Sequence, residues 1–319
     1  MRDVLDTLDH WTAEGLRVAA ATLVKTERSA PRQPGAVLAV SERGDVVGSL
    51  TGGCVEPALY EEARAVLAGE PPRLRTYGIE DEDAFEAGLP CGGTVHVFIS
   101  QVERDLVGQL AAAVRSDEPI ALALTVSGPD TGKLRVVPVE DRSEPTLEGD
   151  VFVLPLLPRP RMYVFGAVDH AAAVARVGTF LGYHVTVCDA RARFLTRGRF
   201  PDADELVVAW PDEFLRSAPV DGRTAICVLT HDHKFDVPLL QAALATPAGY
   251  IGAMGARRTT AERAERLRAE GVPDEALARV HAPIGLDIGA RTPEEVAVAV
   301  AAEMVALARN AAGDRRGVN

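Results

Sequence analysis

The sequence predicts an α/β protein in which a smaller α+β domain precedes a domain built on a Rossmann-like parallel sheet. Three observations predict this fold: a length of 319 residues, an alternation of apolar runs with helical segments in the second half, and closely spaced strand-like runs in the first half. At about 150 residues per domain, the length favours two domains. The hydrophobic content of 47% is enough for packed cores, so a disordered or fibrous chain is excluded.

The second half predicts alternating strands and helices. Its strands are expected at 161–166, 183–189, 205–210, 224–230, 249–254 and 279–283. They are rich in β-branched residues without polar alternation, which is typical of a parallel sheet covered on both faces. The last helix has a clear start, because Thr292 suits the N-cap, Pro293 the first turn and Glu295 a capping box.

The first half predicts turns between strand-like runs. Strands are expected at 16–27, 36–42, 45–50, 73–78, 94–100, 120–128, 133–140 and 151–157, and helices at 57–68 and 103–115. This pattern is typical of an α+β domain. Three prolines stiffen the segment that follows, so we expect domains at 1–154 and 162–319 and a proline-rich linker at 155–161.

The charge balance excludes several kinds of partner. The chain carries 34 basic and 46 acidic residues, a net charge of −12, whereas nucleic-acid binders and proteins docked on anionic lipid need a basic face. No apolar run reaches the roughly 18 residues of a membrane-spanning helix, and the N-terminus lacks a signal-peptide core. We therefore expect a cytoplasmic protein that binds neither nucleic acid nor membrane.

The four cysteines are too few and too far apart for a disulfide framework. Cys188 and Cys227 lie inside predicted strands and are expected in the core. The other two stand beside glycine pairs, in the set Gly52, Gly53, Cys54, Cys91, Gly92 and Gly93. Glycine lets the backbone approach a ligand and leaves a thiol exposed, and the start of a helix, where Cys54 is expected, favours thiolate. The alternative is a small buried residue, the usual state of cysteine. A zinc site is disfavoured because neither lies in a Cys-x-x-Cys pair.

The first turn of the second domain carries part of a dinucleotide-binding pattern. Gly166 and Ala171 fill the first and third positions of Gly-x-Gly-x-x-Gly/Ala, but Val168 replaces the second glycine. Asp169 adds a negative charge at the helix start, where an anion would bind. The alternative is that this aspartate simply complements the helix dipole.

Further polar residues follow later strands of the same predicted sheet. Asp189 ends the second strand, in the position of a ribose-binding acid, and Arg191 beside it suits a phosphate. His231, His233 and Asp236 follow the fourth strand and are candidates for acid–base catalysis or metal binding, although a polar turn that caps the next helix explains them as well.

A glycine-rich turn follows the fifth strand. Gly252, Gly255 and Arg257 form a candidate phosphate cradle, although glycines at such turns are also common for backbone reasons. Asp287 lies in a later loop near the same edge. The carboxyl ends of parallel strands meet at one edge, so these loops are expected to converge there.

Six segments together resemble the XdhC/CoxI family. They read GSLTGGCVE (48–56), LPCGGTVHVFI (89–99), PLLPRPRMYVFGA (155–167), VLTHDHKFD (228–236), YIGAMGARR (250–258) and APIGLDIGARTPEEVAVAVAAEMV (282–305). They run through nearly the whole chain in the family's order. The family comprises maturation factors for molybdenum hydroxylases such as xanthine dehydrogenase, with a small N-terminal domain before a Rossmann-like domain.

The resemblance implies a carrier of the molybdenum cofactor, a molybdopterin. Such a carrier binds the cofactor while a cysteine desulfurase supplies its sulfido ligand, then delivers it to a molybdenum hydroxylase client. Cys54 and Cys91 are then candidate ligands of molybdenum or sulfur, which suits soft thiolates. Glu56 would order the Cys54 loop or meet a pterin edge, and the Rossmann crevice would hold the phosphate or nucleotide end. This implies a cofactor-binding chaperone more than a turnover enzyme.

Two departures from the family pattern and two alternatives remain. Family members often have Gly-Ala-Gly-His where this chain has Val168 and Asp169, which puts NAD(P) binding in doubt. Ala256 stands where serine is common, which removes one donor to a phosphate.

The runner-up hypothesis for the function is an NAD(P)- or flavin-dependent oxidoreductase, and the third hypothesis is a metal-dependent activity at the histidines. The apolar faces of 297–307 predict a homodimer.

Overall fold

The computed structural model describes residues 1–78, 92–140, 142–230 and 232–311, and the chain divides into two compact units. The first unit is Met1–Pro158 and the second is Arg159–Asn319. The division falls within the segment 155–161 that the sequence predicts as a linker.

The first unit contains two antiparallel sheets. Its elements are α1 (Arg2–Ala13), β1 (Val18–Glu27), β2 (Val37–Ser41), β3 (Val46–Gly48), α2 (Glu56–Leu67), β4 (Arg73–Tyr77), β5 (Thr94–Val102), α3 (Arg104–Arg115), β6 (Ile120–Thr125), β7 (Leu134–Pro138), β8 (Thr146–Glu148) and β9 (Val151–Leu156). One sheet has the order β3-β2-β1-β5-β4 and the other the order β7-β6-β9-β8.

The five-stranded sheet is covered on both faces. Along β1, Ala19, Ala21 and Leu23 pack with α2, while Val18 and Ala20 join a second cluster that includes α1, α3 and the four-stranded sheet. This alternation follows from the two-residue period of a strand. The sheet is therefore a rigid platform for the loops at its ends.

The strand register brings two loops to the same end of this sheet. Leu38 pairs with Gly48 at the end of β3, and Glu27 at the end of β1 pairs with Thr94 at the start of β5. The loop after β3 and the segment before β5 therefore leave the sheet at one end. A side chain at Gly93 would place its Cβ 1.9 Å from the backbone oxygen of Ser29, so this glycine allows two chain segments to meet.

The second unit is a doubly wound parallel sheet. Its elements are β10 (Arg161–Phe165), α4 (Asp169–Phe180), β11 (His184–Cys188), β12 (Glu205–Val207), α5 (Pro211–Ser217), β13 (Ala225–Val228), α6 (His233–Leu244), β14 (Tyr250–Ala253), α7 (Arg257–Ala269), α8 (Asp274–Leu277), β15 (Val280–His281) and α9 (Pro293–Ala311). The strand order is β12-β11-β10-β13-β14-β15. Numbered within the unit this order is 3-2-1-4-5-6, the order of the Rossmann fold, with its reversal between β10 and β13.

Helices cover both faces of the parallel sheet. The cluster on one face contains residues of α4 and α9, and that on the other contains residues of α5, α6 and α7. Cys188 and Cys227 are fully buried in these clusters, as predicted, and burial raises the pKa of each thiol to about 12. The predicted capping box is confirmed, because the Glu295 amide donates to Thr292 Oγ1 at 3.2 Å and the Thr292 amide to Glu295 Oε2 at 3.1 Å.

Several elements differ from what the sequence predicts. The elements α1, β8 and α8 are absent from the predicted set, and the strands predicted at 45–50 and 279–283 are shorter, at Val46–Gly48 and Val280–His281. The run 205–210 forms a strand only at Glu205–Val207, because Trp210 is the N-cap of α5. Across the described ranges, no helix is both long and apolar enough to span a membrane.

A buried ion pair joins two helices of the second unit. Arg263 Nη2 lies 2.9 Å from Asp236 Oδ2, and the two side chains are 3% and 1% exposed. Arg263 also donates to the backbone oxygen of Met254 at 2.8 Å, and the Thr230 hydroxyl hydrogen bonds to Asp236. The contacts fix the start of α6 against α7.

We expect Asp236→Ala to destabilise the second unit strongly. Removing one partner of a buried ion pair leaves an uncompensated charge and costs about 3–5 kcal/mol. Urea unfolding followed by Trp210 fluorescence, in a Trp11→Phe background, measures this change. The matched control is Asp202→Ala, which removes an exposed pair with Arg176 and should cost at most about 1 kcal/mol. Equal losses in the two variants would contradict the buried-pair account.

Candidate functional site

The loop that carries Cys54 is wrapped around one carboxylate. Glu56 opens α2, and its side chain turns back into the loop 49–55 that precedes the helix. Gly52 and Gly53 have φ values of 78° and 121°, a region that glycine enters without the strain of a side chain. Both glycines therefore let successive amides point toward the same carboxylate.

Seven donor groups converge on Glu56. Its Oε1 accepts from the Ser49 hydroxyl at 2.8 Å, the Leu50 amide at 3.0 Å, the Thr51 amide at 2.8 Å and the Gly52 amide at 3.0 Å. Its Oε2 accepts from the Thr51 hydroxyl at 2.6 Å, the Gly53 amide at 2.8 Å and the Val55 amide at 3.2 Å. Concave groups of backbone amides bind anions, and here the anion belongs to the chain itself.

This arrangement shifts the titration of Glu56. Burial alone would raise the pKa of the carboxyl, but the hydrogen bonds from Thr51 and Ser49 oppose it and hold the pKa well below the ordinary value of 4.5. The carboxylate is therefore charged at neutral pH. The expectation that Glu56 orders the Cys54 loop agrees with this geometry.

Cys54 is at the rim of this loop. Its thiol is free and half-buried, and it packs against the core cluster that contains Leu50 and Leu59. Gly52 and Gly53 beside it are exposed, with open space where a Cβ would stand. Among residues 50–55, all of which the structure describes, the other five amides donate to Glu56. The amide of Cys54 does not donate to Glu56.

The second glycine-flanked cysteine, Cys91, lies outside the described residues. Gly92 and Gly93, which follow it in the sequence, precede β5 at the sheet end from which the Cys54 loop also leaves. The register therefore brings Gly92 and Gly93 to the same end of the sheet as Cys54.

The turn between β10 and α4 is hydrogen-bonded to a side chain that follows β11. The Ala167 amide donates to Asp189 Oδ2 at 2.6 Å, and Arg191 donates to the two oxygens of Asp189 at 3.0 and 2.9 Å. Burial would raise the pKa of Asp189, but the hydrogen bonds from Arg191 and Ala167 lower it. Gly166 brings this turn close to the next loop, because its Cβ would lie 3.2 Å from the Thr230 amide nitrogen.

A second pair of charged side chains lies at the start of α4. Val168 is the N-cap, and the exposed Asp169 pairs with Arg199, whose Nη2 lies 3.0 Å from its Oδ1. Arg199 also donates to the backbone oxygen of Ala167 at 3.1 Å. A pyrophosphate would have to approach beside this carboxylate.

The cluster after β13 is only partly described. His231 and the side chain of His233 lie outside the described residues, while Asp232 is the N-cap of α6 and accepts from the Lys234 amide at 3.1 Å. Asp236 is buried with Arg263, which argues against Asp236 as an accessible base. Within the described part of the chain no group of three or more His, Cys, Asp or Glu residues could hold a metal ion.

The turn after β14 separates its two glycines. Gly252 lies within the strand, and its Cβ would meet the Ile284 side chain at 2.6 Å, so the packing of Ile284 requires glycine there. Gly255 and Arg257 are at the start of α7, where the N-cap Ala256 provides no side-chain hydrogen bond. Arg257 is 89% exposed and lies 3.5 Å from Asp287. The start of α7 thus combines uncapped amides with an exposed arginine, the features of an anion site.

Sequence reasoning missed several residues at these positions. Arg263 gives no signal, because arginines are frequent in its helix and burial cannot be seen in a sequence. The Ser49 and Thr51 hydroxyls belong to the segment GSLTGGCVE, yet the pattern alone assigns them no role. Trp210 is predicted as the end of a strand, whereas it is the N-cap of α5.

Comparisons with known proteins agree with this architecture. The pattern described as the XdhC Rossmann domain matches residues 162–304, and that of the XdhC and CoxI family matches residues 11–78. A protein of Bacillus subtilis, a probable subunit of xanthine dehydrogenase, is 29% identical over 309 residues, covering 89% of this chain and 91% of that protein. The molybdenum cofactor insertion chaperone PaoD of Escherichia coli is 29% identical over 293 residues, covering 92% of this chain and 84% of that protein.

A solved structure is similar over most of its length. It is described as a xanthine dehydrogenase from Bacillus halodurans, and it matches with a TM-score of 0.78, 25% identity and coverage of 96% of both chains. Fold and site together define a two-unit α/β protein with a cysteine-bearing loop in the first unit and a Rossmann sheet in the second. The chain belongs to the XdhC/CoxI family.

Glu56→Gln should remove a pH-dependent contribution to stability. The folded-state pKa of Glu56 lies below its ordinary value of 4.5, so the contribution is present in full above that value and is lost as the pH falls through the folded-state pKa. The difference in unfolding free energy between wild type and Glu56→Gln should be largest near neutral pH and shrink below about pH 4. Urea unfolding followed by Trp11 fluorescence, in a Trp210→Phe background, measures it.

The matched control for this prediction is Glu61→Gln. Glu61 is an exposed residue of the same helix, and its replacement should change the free energy of unfolding by no more than about 0.5 kcal/mol. A difference for Glu56→Gln that stays constant from neutral to acidic pH would contradict the assigned role of the carboxylate.

Proposed function

We propose that this protein binds the molybdenum cofactor, supports its sulfuration and inserts it into a molybdenum hydroxylase of the xanthine dehydrogenase type. The observation that carries the proposal is the half-exposed thiol of Cys54 on a loop that Glu56 holds in one shape. The names of the relatives, a molybdenum cofactor insertion chaperone and a probable component of xanthine dehydrogenase, support the same role.

The residues of the Cys54 loop suit this cargo. A thiolate is a soft, strongly donating metal ligand, and Cys54 is the candidate ligand of the molybdenum. The glycines beside it expose the backbone. The loop can therefore accept the metal end of the cofactor without rearranging, and by the family resemblance Cys91 is a second candidate ligand.

The Rossmann unit fits an ordinary dinucleotide poorly. Asp189, the candidate ribose acid, accepts hydrogen bonds from Arg191 and from the Ala167 amide that would face a pyrophosphate. Asp169 adds a carboxylate at the start of α4. NAD(P) chemistry, the basis of the oxidoreductase alternative, is therefore not part of the proposal. Gly255 and Arg257, at the uncapped start of α7, are proposed as an anion site of the second unit.

The proposal includes three protein partners. A hydroxylase client receives the cofactor, and a cysteine desulfurase supplies the sulfido ligand; both follow from the family resemblance. The third partner is a second copy of this chain. Val298 and Val305 on α9 are 56% and 46% exposed, and they lie seven residues apart, on the same side of the helix. A monomer by light scattering would contradict the homodimer.

The test of the proposal is cofactor retention. The protein is produced in cells that make the cofactor, and bound molybdenum and pterin are measured after purification. We expect Cys54→Ala to reduce molybdenum per protein by about tenfold or more, because a ligand to the metal is lost. Cys188→Ala, the same substitution at a buried thiol, should retain the wild-type content per folded protein.

A wild-type protein that retains neither molybdenum nor pterin from a producing cell would overturn the carrier role. Equal retention by wild type and Cys54→Ala would contradict the role of Cys54 as a ligand.

A further inference from the structure

An aromatic pair at the edge of the parallel sheet has no role in the site described so far. Trp210 directly precedes α5, and Phe235 lies in the first turn of α6. Their ring centroids are 5.1 Å apart and the planes are tilted by 48°. Trp210 nevertheless remains 48% exposed. Val208, two residues before it, is 54% exposed, so apolar side chains of this segment are accessible at the end of β12.

The pair stands where Rossmann sheets bind ligands. Trp210 follows β12 and Phe235 follows β13, so both lie at the carboxyl edge of the sheet. The Asp189 amide donates to the Val207 oxygen at 3.2 Å, which ties the end of β11 to the segment that leads to Trp210. In open α/β sheets the ligand crevice is outside the carboxyl ends of the strands, near the reversal of strand order.

The charged groups around the pair are already neutralised. Lys234 Nζ lies 4.8 Å from the centre of the Phe235 ring and 3.3 Å from Asp232. Arg191 is paired with Asp189. Neither cation is a strong site for a phosphate. The half-exposed indole of Trp210 suits instead a flat aromatic ring, which can stack on it.

We propose that Trp210, supported by Phe235, stacks on a flat nitrogen-rich heterocycle. This inference goes beyond the proposed function, because it assigns a ring-binding site to the second unit by itself. The ring has two sources of the same chemistry: the base of a nucleotide or a pterin. Phe235 packs against the indole, and the Lys234 ammonium lies over the Phe235 ring, so these contacts support the half-exposed Trp210.

The chain offers a direct reporter for this proposal. It contains two tryptophans, Trp11 in α1 of the first unit and Trp210, so Trp11→Phe leaves Trp210 as the single tryptophan. Emission from this variant is titrated separately with CMP, AMP and neopterin, with corrections for absorption by each compound. We expect saturable quenching by at least one of them. Quenching by the nucleotides alone assigns the base, and quenching by neopterin alone assigns the pterin.

A second measurement tests the residue itself. Binding of the compound that quenches is measured by equilibrium dialysis for Trp11→Phe, Trp210→Leu and Phe235→Leu. We expect Trp210→Leu to weaken binding by about tenfold or more, since stacking on an aromatic ring is lost, and Phe235→Leu to weaken it by less. Circular dichroism confirms that each variant is folded, and a variant that fails this check is replaced by Trp210→His.

Several results would overturn the proposal. The first is no quenching by any of the three compounds up to millimolar concentration. The second is equal binding by Trp210→Leu and Trp11→Phe. The third is an emission shift that depends on protein concentration without ligand, which would place Trp210 in an interface between copies.

The outcome is separate from that of the proposed function. Retention of molybdenum that depends on Cys54, without quenching of Trp210, would remove the stacking site and leave the carrier role intact. Quenching of Trp210 without Cys54-dependent retention of molybdenum would leave the stacking site intact and contradict the role of Cys54 in carrying the cofactor.

Discussion

The shape of the Cys54 loop depends on one carboxylate. A seven-residue loop with two glycines has many conformations in the unfolded chain, and its amides would be satisfied equally well by water. Glu56 selects one conformation, because a single anion accepts five amides and two hydroxyls at once. Charged acceptors make the stronger hydrogen bonds. The protein's own carboxylate therefore occupies the anion site formed by these amides. The position left to an outside ligand is the edge of the loop, where the thiol of Cys54 lies.

The same principle governs the second unit, where charged groups at the carboxyl edge of the sheet satisfy one another. Asp189 with Arg191 and Asp169 with Arg199 occupy positions that a dinucleotide would need. Asp236 and Arg263 form a buried ion pair. The strand order of the Rossmann fold is thus retained, while charged groups at the edge that usually faces a ligand contact one another. The groups of this edge that remain open to solvent include the indole of Trp210 and the guanidinium of Arg257.

The sequence predicted the architecture well because local patterns record it. Apolar runs without polar alternation predict the buried parallel strands, helical spacing of apolar residues predicts the helices, and the residue types at Thr292 and Glu295 predict the capping box. Glu56 shows the limit, since the letters GSLTGGCVE place a glutamate near a cysteine but do not reveal that five amides turn toward it. That geometry depends on backbone angles at Gly52 and Gly53. Asp189 was likewise found by its position, whereas its pairing with Arg191 and Ala167 depends on the folded loop.

Amide hydrogen exchange of residues 50–55 tests the central claim most directly. If the Glu56 carboxylate holds the loop, the amides of Leu50, Thr51, Gly52, Gly53 and Val55 exchange slowly in the wild-type protein at neutral pH. In Glu56→Gln they should exchange at least about tenfold faster, while the interior amides of α2 keep their protection. Equal protection of these five amides in the two proteins would show that the loop holds its shape without the carboxylate, and would contradict the account.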